Sequence, residues 1–221
     1  MGDKITRAAV INAIGEHKII AIVRGVERER LIPLAEALYA GGVRLIEVTY
    51  NACGTPSDEE TAENVALLAS HMKGRMYVGA GTVLTVGQVE LTKNAGGAFI
   101  ISPNVSEAVI AHTRFEGLVS IPGALTPTEI VAAHEAGADF VKLFPVGNMG
   151  SAYIKAVSAP LSHIPMLAVG GVTPDNLQEY RAAGAVGFGI GTNIVDKNLL
   201  KQEDYEGITA LARRYTDAVK A

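Results

Sequence analysis

Short apolar runs recur along the chain, and turn-forming residues bound each of them. Runs of this length that are rich in β-branched residues predict β-strands. Eight are present, at residues 19–23, 44–49, 76–79, 98–102, 118–121, 139–144, 166–169 and 187–190. Helical hydrophobic patterns lie between them, and a further amphipathic helix is predicted near residues 3–15. The chain is therefore predicted to alternate strands with helices.

Capping signals mark several helix boundaries. Capping boxes are predicted for Ser57 with Glu60, Thr85 with Gln88, and Thr126 with Glu129. Pro127 and Pro174 each follow a threonine and are expected at the first helical position. An Ala-Gly-small element recurs at residues 40–42, 95–97, 136–138 and 183–185, where it predicts a glycine-terminated helix that leads into a strand.

Eight strands alternating with helices predict a single-domain (β/α)8 TIM barrel over residues 1–221, with an extra N-terminal helix. A doubly wound open sheet is the alternative. It is less favoured because no GxGxxG motif follows the first strand and no interdomain linker is present.

Strand alternation places three charged residues in the barrel lumen. Glu47 lies on the face of the second strand opposite its β-branched residues, so we assign it to the lumen. The same reasoning turns Lys142 of the sixth strand and Arg24 after the first strand inward. Barrel enzymes build their sites at the carboxyl ends of the strands, so we expect these residues to converge there.

A lysine in a semi-apolar pocket suggests nucleophilic chemistry. Desolvation and Arg24 would lower the pKa of Lys142 and make it a nucleophile for carbonyls. Glu47 acts in the opposite direction, so the sequence leaves the net shift open. The alternative is a structural ion pair between Glu47 and Lys142, which desolvation makes a costly way to stabilise a fold.

Glycine-rich loops follow the last two predicted strands. Gly170 and Gly171 follow the seventh strand, and Gly191 and Thr192 follow the eighth, which is the usual phosphate site of this fold. Thr82, after the third strand, is either a ligand for a substrate carboxylate or a turn hydroxyl. The segment from Ser102 to Asn104 is a possible strand-terminating turn.

Composition excludes several function classes. A net charge of −4 argues against nucleic acid or an anionic membrane as the main partner. Cys53 is the only cysteine, and the five histidines are scattered, so neither a disulfide nor a local metal site is predicted. No apolar run approaches the ~20 residues of a membrane span, and no signal-peptide pattern is present. The expected location is the cytoplasm.

Six motifs carry a resemblance to a known family. They are EVTYN (47–51), GAGTVL (79–84), ISPN (101–104), IPG (121–123), VKLFP (141–145) and AVGGVTP (168–174). The chain resembles the class I aldolases of 2-keto-3-deoxy-6-phosphogluconate (KDPG) and 2-keto-3-deoxy-6-phosphogalactonate (KDPGal). That family also includes 4-hydroxy-2-oxoglutarate (KHG) aldolase activity. The resemblance extends from about residue 14 to residue 215, with the motifs in the family's order and spacing.

The resemblance implies a role for each site residue. Lys142 is the Schiff-base lysine and Glu47 the general acid and base. Further site residues implied are Thr82, Ser102 and Pro103 beside the pyruvate half of the substrate, Phe144 against the reacting carbons, and Gly170, Gly171, Gly191 and Thr192 at the phosphate. The products are pyruvate with glyceraldehyde 3-phosphate, or with glyoxylate from KHG. The family is typically a homotrimer and needs no metal or organic cofactor.

One position departs from the family pattern. Many gluconate-type members carry an arginine in the second loop, where this chain has Asn51, and we expect Asn51 to contact the substrate there. Galactonate-type members have asparagine in a similar loop and an arginine that ends the first strand, so we expect Arg24 to supply the missing charge. KDPG is the first expected substrate and KDPGal the alternative. An isomerase or epimerase, or a non-catalytic sugar-phosphate-binding barrel, would use the same fold.

Overall fold

The computed structural model describes residues 5–220 and contains a parallel β-barrel surrounded by helices. Its strands are β1 Ile19–Val23, β2 Leu45–Thr49, β3 Tyr77–Gly81, β4 Phe99–Ile101, β5 Val119–Ile121, β6 Gly123–Ala124, β7 Val141–Leu143, β8 Met166–Val169 and β9 Ala185–Ile190. They hydrogen-bond in the order β5-β4-β3-β2-β1-β9-β8-β7-β6. The predicted TIM barrel is confirmed.

Pro122 divides the fifth barrel strand into two segments. β5 pairs with β4 and β6 pairs with β7, and Pro122 alone separates β5 from β6. Proline has no backbone N–H to donate, but its carbonyl accepts the Lys142 N–H at 2.8 Å. β5 and β6 therefore serve together as one barrel strand, and the chain itself closes the ring beside Lys142.

The helices are α1 Arg7–His17, α2 Arg28–Ala40, α3 Asp58–His71, α4 Val86–Asn94, α5 Glu107–Phe115, α6 Pro127–Glu135, α7 Gly150–Ser158, α8 Leu177–Ala182, α9 Lys197–Lys201 and α10 Tyr205–Lys220. The predicted extra N-terminal helix corresponds to α1; residues 3 and 4 of that prediction lie outside the described residues. Within residues 5–220, every helix is too short or too polar to cross a membrane.

The capping predictions are confirmed with one exception. All three capping boxes form, and Pro127 begins α6. The prediction for Pro174 is wrong, because α8 begins at Leu177. The Asn176 side chain accepts the Thr173 N–H at 2.8 Å, and the Thr173 hydroxyl accepts the Asn176 N–H at 3.3 Å. These bonds close a separate turn that contains Pro174 and precedes the helix.

Two apolar layers confirm the assignment of strand faces. Ile20, Leu45 and Phe140 belong to the cluster that fills the lumen, together with Val10 and Ile14 of α1. The alternate strand residues belong to a larger cluster between the barrel and its helices; among them are Ile46, Val48, Val141 and Leu143. Since α1 shares the lumen cluster, it covers one end of the barrel. The opposite end is left for polar residues.

Candidate active site

A cavity of about 830 Å³ lies at the carboxyl ends of the barrel strands. Most of the residues predicted for the site line it, namely Arg24, Glu47, Thr82, Pro103, Lys142, Phe144, Gly170, Gly171, Gly191 and Thr192. They come from the ends of different strands and from the loops that follow. The cavity therefore brings together groups that are far apart in the sequence.

The carboxyl group of Glu47 is buried, and Glu47 belongs to β2, which lies between β1 and β3. Its strand register places it between Ile22 of β1 and Gly79 of β3, and it is only 1% exposed. Its Oε2 has no hydrogen-bond partner among the described residues. Burial raises the pKa of Glu47 to about 7, against the lowering effects of Lys142 and Arg24. Both protonation states are therefore populated near neutral pH.

Gly81 makes room for the Glu47 carboxylate. A Cβ added at Gly81 would lie 2.3 Å from Oε1 of Glu47 and 2.5 Å from its Cδ, far inside van der Waals contact. The carboxylate thus rests directly on the backbone of β3. The sequence pattern drew attention to Thr82 in this loop, whereas Gly81 has the closer relation to the acidic group.

Lys142 lies in β7 between Gly123 of β6 and Leu167 of β8. It is 8% exposed, and its Nζ is 4.6 Å from the centroid of the Phe144 ring. Burial lowers the pKa of Lys142; Glu47 opposes this shift and Arg24 adds to it. The direction that the sequence left open is therefore downward, towards the neutral amine.

Lys142 and Glu47 do not form a direct ion pair. No nitrogen–oxygen distance between these two described residues is within 4.0 Å, and Oε2 of Glu47 lacks any hydrogen-bond partner in residues 5–220. The structural ion pair that the sequence left open is therefore absent from the described chain. Buried ionisable groups in a cavity whose pKa values are shifted by desolvation and by a nearby charge are typical of functional sites.

Arg24 and Thr82 contact each other at the cavity wall. Nη2 of Arg24 donates to the Thr82 hydroxyl at 2.9 Å. Thr82 has a φ of 57°, a left-handed conformation that is rare for a β-branched residue. Such strain persists only where the surroundings hold it, and it clusters at ligand sites. Arg24 and Thr82 thus present a guanidinium group and a hydroxyl group side by side.

The loops after β7 and β8 pack closely against each other. Gly170 and Gly171 have φ values of 96° and 68°, which favour glycine. A Cβ at Gly171 would lie 2.7 Å from the Cα of Gly147 in the loop after β7. Gly191 and Thr192, after β9, line the same cavity. Both predicted phosphate loops therefore border the cavity that contains Lys142.

Asn51 and Ser102 lie outside the cavity lining. The Asn51 side chain accepts the Cys53 N–H at 3.0 Å and donates to the Thr55 carbonyl, so it holds its own loop. Ser102 is 4% exposed, and its N–H donates to the Ile121 carbonyl at 3.2 Å. Arg24, which we expect to replace the charge of the family's arginine, lines the cavity, whereas Asn51 does not.

Several lining residues were not predicted from the sequence. Ile22 and Val169 supply apolar walls, and Arg30, Lys197 and Lys201 supply positive charge. Ile22 follows from the alternation that placed Arg24. The lysines belong to α9, a short helix between β9 and α10, and the only signal for it is the capping residue Asp196. In residues 5–220 no cluster of three or more His, Cys, Asp and Glu side chains is arranged to hold a metal ion.

The chain is similar to known proteins over most of its length. A family model described as KDPG and KHG aldolase matches residues 10–211. The probable 2-dehydro-3-deoxy-6-phosphogalactonate aldolase of Rhizobium meliloti (strain 1021) is 38% identical over 180 residues, or 81% of this chain and 82% of the relative. A solved structure described as native KDPGal has 32% identity and a TM-score of 0.82, covering 91% of this chain and 94% of its own. A second solved structure is a KDPG aldolase from Legionella pneumophila with pyruvate captured at low pH as a covalent carbinolamine intermediate. It has 29% identity and a TM-score of 0.82, and the match covers 96% of this chain and 98% of that chain.

Proposed function

Since the chain belongs to the KDPG and KHG aldolase family, we propose that it cleaves a 2-keto-3-deoxy-6-phospho sugar acid through a Schiff base on Lys142. The observation that carries this proposal is the pair of buried, unpaired ionisable groups in one cavity. Burial lowers the pKa of Lys142 and raises that of Glu47 to about 7. A neutral amine and a carboxyl group that exchanges protons near neutral pH are what the reaction requires.

The first half of the reaction forms the imine. The neutral Nζ of Lys142 attacks the C2 ketone, and the ketone oxygen takes up a proton to give a carbinolamine. Loss of that oxygen as water leaves a protonated imine. Glu47 is the group that donates and accepts these protons, directly or through a water molecule. The Legionella pneumophila relative, with pyruvate as a covalent carbinolamine, supports this step.

The second half breaks the carbon–carbon bond. Ionised Glu47 removes the proton of the C4 hydroxyl, and the C4 oxygen becomes the aldehyde oxygen. The C3–C4 bond breaks, and its electron pair moves into the protonated imine to form an enamine. Glyceraldehyde 3-phosphate leaves. Protonated Glu47 then returns the proton to C3, and hydrolysis of the imine releases pyruvate and restores Lys142.

The C4 epimer that we propose as the preferred substrate is the galactonate form. We assign Arg24 to the substrate acid group, because Arg24 lines the cavity whereas Asn51 is engaged in its own loop. The resemblance associates this combination with galactonate-type members, and the relative with 38% identity is named for KDPGal. This reverses the order expected from the sequence, in which KDPG came first. KDPG stays the second candidate because of the similar Legionella pneumophila enzyme.

Borohydride trapping tests the Schiff base. Reduction in the presence of pyruvate should attach pyruvate irreversibly to Lys142, with the site identified by peptide mass spectrometry. Lys142→Ala should give no adduct, whereas Lys155→Ala, which removes an exposed lysine of α7, should retain it. Absence of an adduct at saturating pyruvate would contradict the aldolase proposal and favour an isomerase, an epimerase or a binding protein.

Parallel kinetics test the substrate. We expect kcat/KM to be highest for KDPGal, lower for KDPG and lowest for KHG, because KHG lacks the phosphate that the glycine loops would bind. A kcat/KM for KDPG that exceeds the value for KDPGal would refute the proposed epimer preference and leave the aldolase mechanism standing.

We also propose that the protein is a homotrimer, on the resemblance alone. Sedimentation equilibrium should give a mass three times the 23.1 kDa of one chain. A monomeric mass at micromolar concentration would contradict this proposal.

A further inference from the structure

Three basic residues that line the cavity outside the predicted site are here called the cationic rim: Arg30, Lys197 and Lys201. Arg30 belongs to α2, and its Nη1 lies 3.6 Å from a carboxylate oxygen of Glu27. Lys197 and Lys201 begin and end α9 and are four residues apart, a spacing that places them on one helix face. Both lysines are exposed, and neither has an ion-pair partner within 4.0 Å among residues 5–220.

The charge of the cavity differs in sign from that of the chain. The chain has a net charge of −4. The cavity lining contains five basic residues, Arg24, Arg30, Lys142, Lys197 and Lys201, but only two acidic ones, Glu27 and Glu47. A concave site with one sign of charge concentrates ligands of the opposite sign. The excess charge on this lining therefore favours an anion.

Within the cationic rim, the two lysines are the cations without an acidic partner among residues 5–220. Arg30 already faces Glu27, and Arg24 already donates to Thr82. The predicted phosphate loop contains Gly191 and Thr192, and Lys197 follows Thr192 by five residues and lines the same cavity. Glycine loops supply backbone N–H groups but no formal charge, and the two lysines are lining cations that remain available to neutralise a phosphate dianion.

We infer that Lys197 and Lys201 bind the phosphate end of the substrate by charge and set the preference for phosphorylated over unphosphorylated keto acids. This inference rests on the proposed function, since it takes the substrate to be held by Lys142 at its ketone. It assigns the two lysines a binding role and no part in proton transfer. Their effect is therefore on substrate binding, equally in the ground state and in the transition state.

The test compares two double variants of equal net charge. K197Q/K201Q removes the proposed contacts, and K73Q/K155Q removes two exposed lysines that do not line the cavity. Each variant is assayed with a phosphorylated acid and with the corresponding unphosphorylated six-carbon acid. An exposed charge pair contributes roughly 0.2–1 kcal/mol, so two lysines should change kcat/KM for the phosphorylated acid by roughly 2- to 30-fold.

The expected result has three parts. K197Q/K201Q should raise KM for the phosphorylated acid with little change in kcat, and the ratio of kcat/KM values for the two acids should fall. Added salt should weaken wild type more than the variant, because screening removes the same attraction. K197R/K201R should restore the wild-type ratio, since it keeps both charges.

Two results would overturn the inference. One is the same ratio of kcat/KM values in K197Q/K201Q and in K73Q/K155Q at low salt. The other is a loss that affects both acids equally, which would indicate a general structural effect. Pyruvate trapping on wild type separates these from failure of the proposed function, because pyruvate has no phosphate and reports only on Lys142.

Discussion

Substitution of Gly81 by alanine should displace the Glu47 carboxylate, the proposed acid and base, while leaving Glu47 itself unchanged. The new methyl group would lie 2.3 Å from Oε1 of Glu47, whereas ordinary contact begins at 3.4 Å, so the carboxylate must retreat by about 1 Å. Gly81 does not have a positive φ, so backbone strain does not enter. A misplacement of about 1 Å costs roughly 100-fold in rate when reacting groups must be aligned. We expect this loss in kcat/KM for aldol cleavage.

The matched control is Gly87→Ala. A Cβ at Gly87, in α4, would have only the Thr85 hydroxyl within 4 Å, at 3.9 Å, and alanine favours a helix by about 1 kcal/mol. Gly87→Ala should keep wild-type kinetics. Thermal unfolding should show that Gly81→Ala remains folded at the assay temperature. Wild-type kcat/KM in folded Gly81→Ala would refute the argument that Gly81 positions Glu47.

Three further predictions concern charge. In the proposed mechanism Glu47 must be ionised to accept the C4 proton, so kcat/KM should rise with pH through an apparent pKa of about 7. Glu47→Gln should abolish this pH dependence and lower the rate roughly 10²–10⁴-fold. Arg75 lowers the pKa of Glu36 to about 2, so the stability that this pair adds is present above pH 4.5 and is lost as the pH falls through 2. The difference in Tm between wild type and Glu36→Gln should therefore shrink as the pH falls from 4.5 to 2. A difference in Tm that stays constant would contradict this prediction. Arg7→Gln leaves the Asp139 carboxylate, whose side chain is 5% exposed, without its α1 partner, and should lower the free energy of unfolding by about 1–3 kcal/mol in urea titrations.

The strand pattern predicted the site because each strand has only two faces. Leu45 and Phe140 had to share a face with Glu47 and Lys142, and the lumen cluster confirms that they lie inside the barrel. The parallel order then brings strand ends together whatever their separation in sequence. For this reason a lumen assignment made from a few residues was enough to place Glu47 and Lys142 on one cavity.

Loop geometry escaped prediction because it depends on contacts between distant segments. Pro174 has the expected sequence of a helix start, yet the Thr173–Asn176 bonds close a turn before α8. Asn51 was expected at the substrate, but its carboxamide satisfies the loop that contains Thr55. In both places a short polar side chain forms hydrogen bonds with nearby backbone groups. Such bonds compete with regular secondary structure, and the hydrophobic periodicity of the sequence does not predict them.

The separation between Glu47 and Lys142 is itself part of the proposed chemistry. A direct ion pair would lower the pKa of the carboxyl group and raise that of the amine, leaving Lys142 protonated and unable to attack a ketone. With the pair apart, burial is the largest influence on both groups, and it moves the two pKa values in the directions that the proposed reaction requires. Gly81 contributes to this arrangement, because it lets the carboxylate rest on β3. Glu47 and Lys142 thus lie at the carboxyl ends of the strands, whereas α1 and the apolar lumen cluster cover the other end of the barrel.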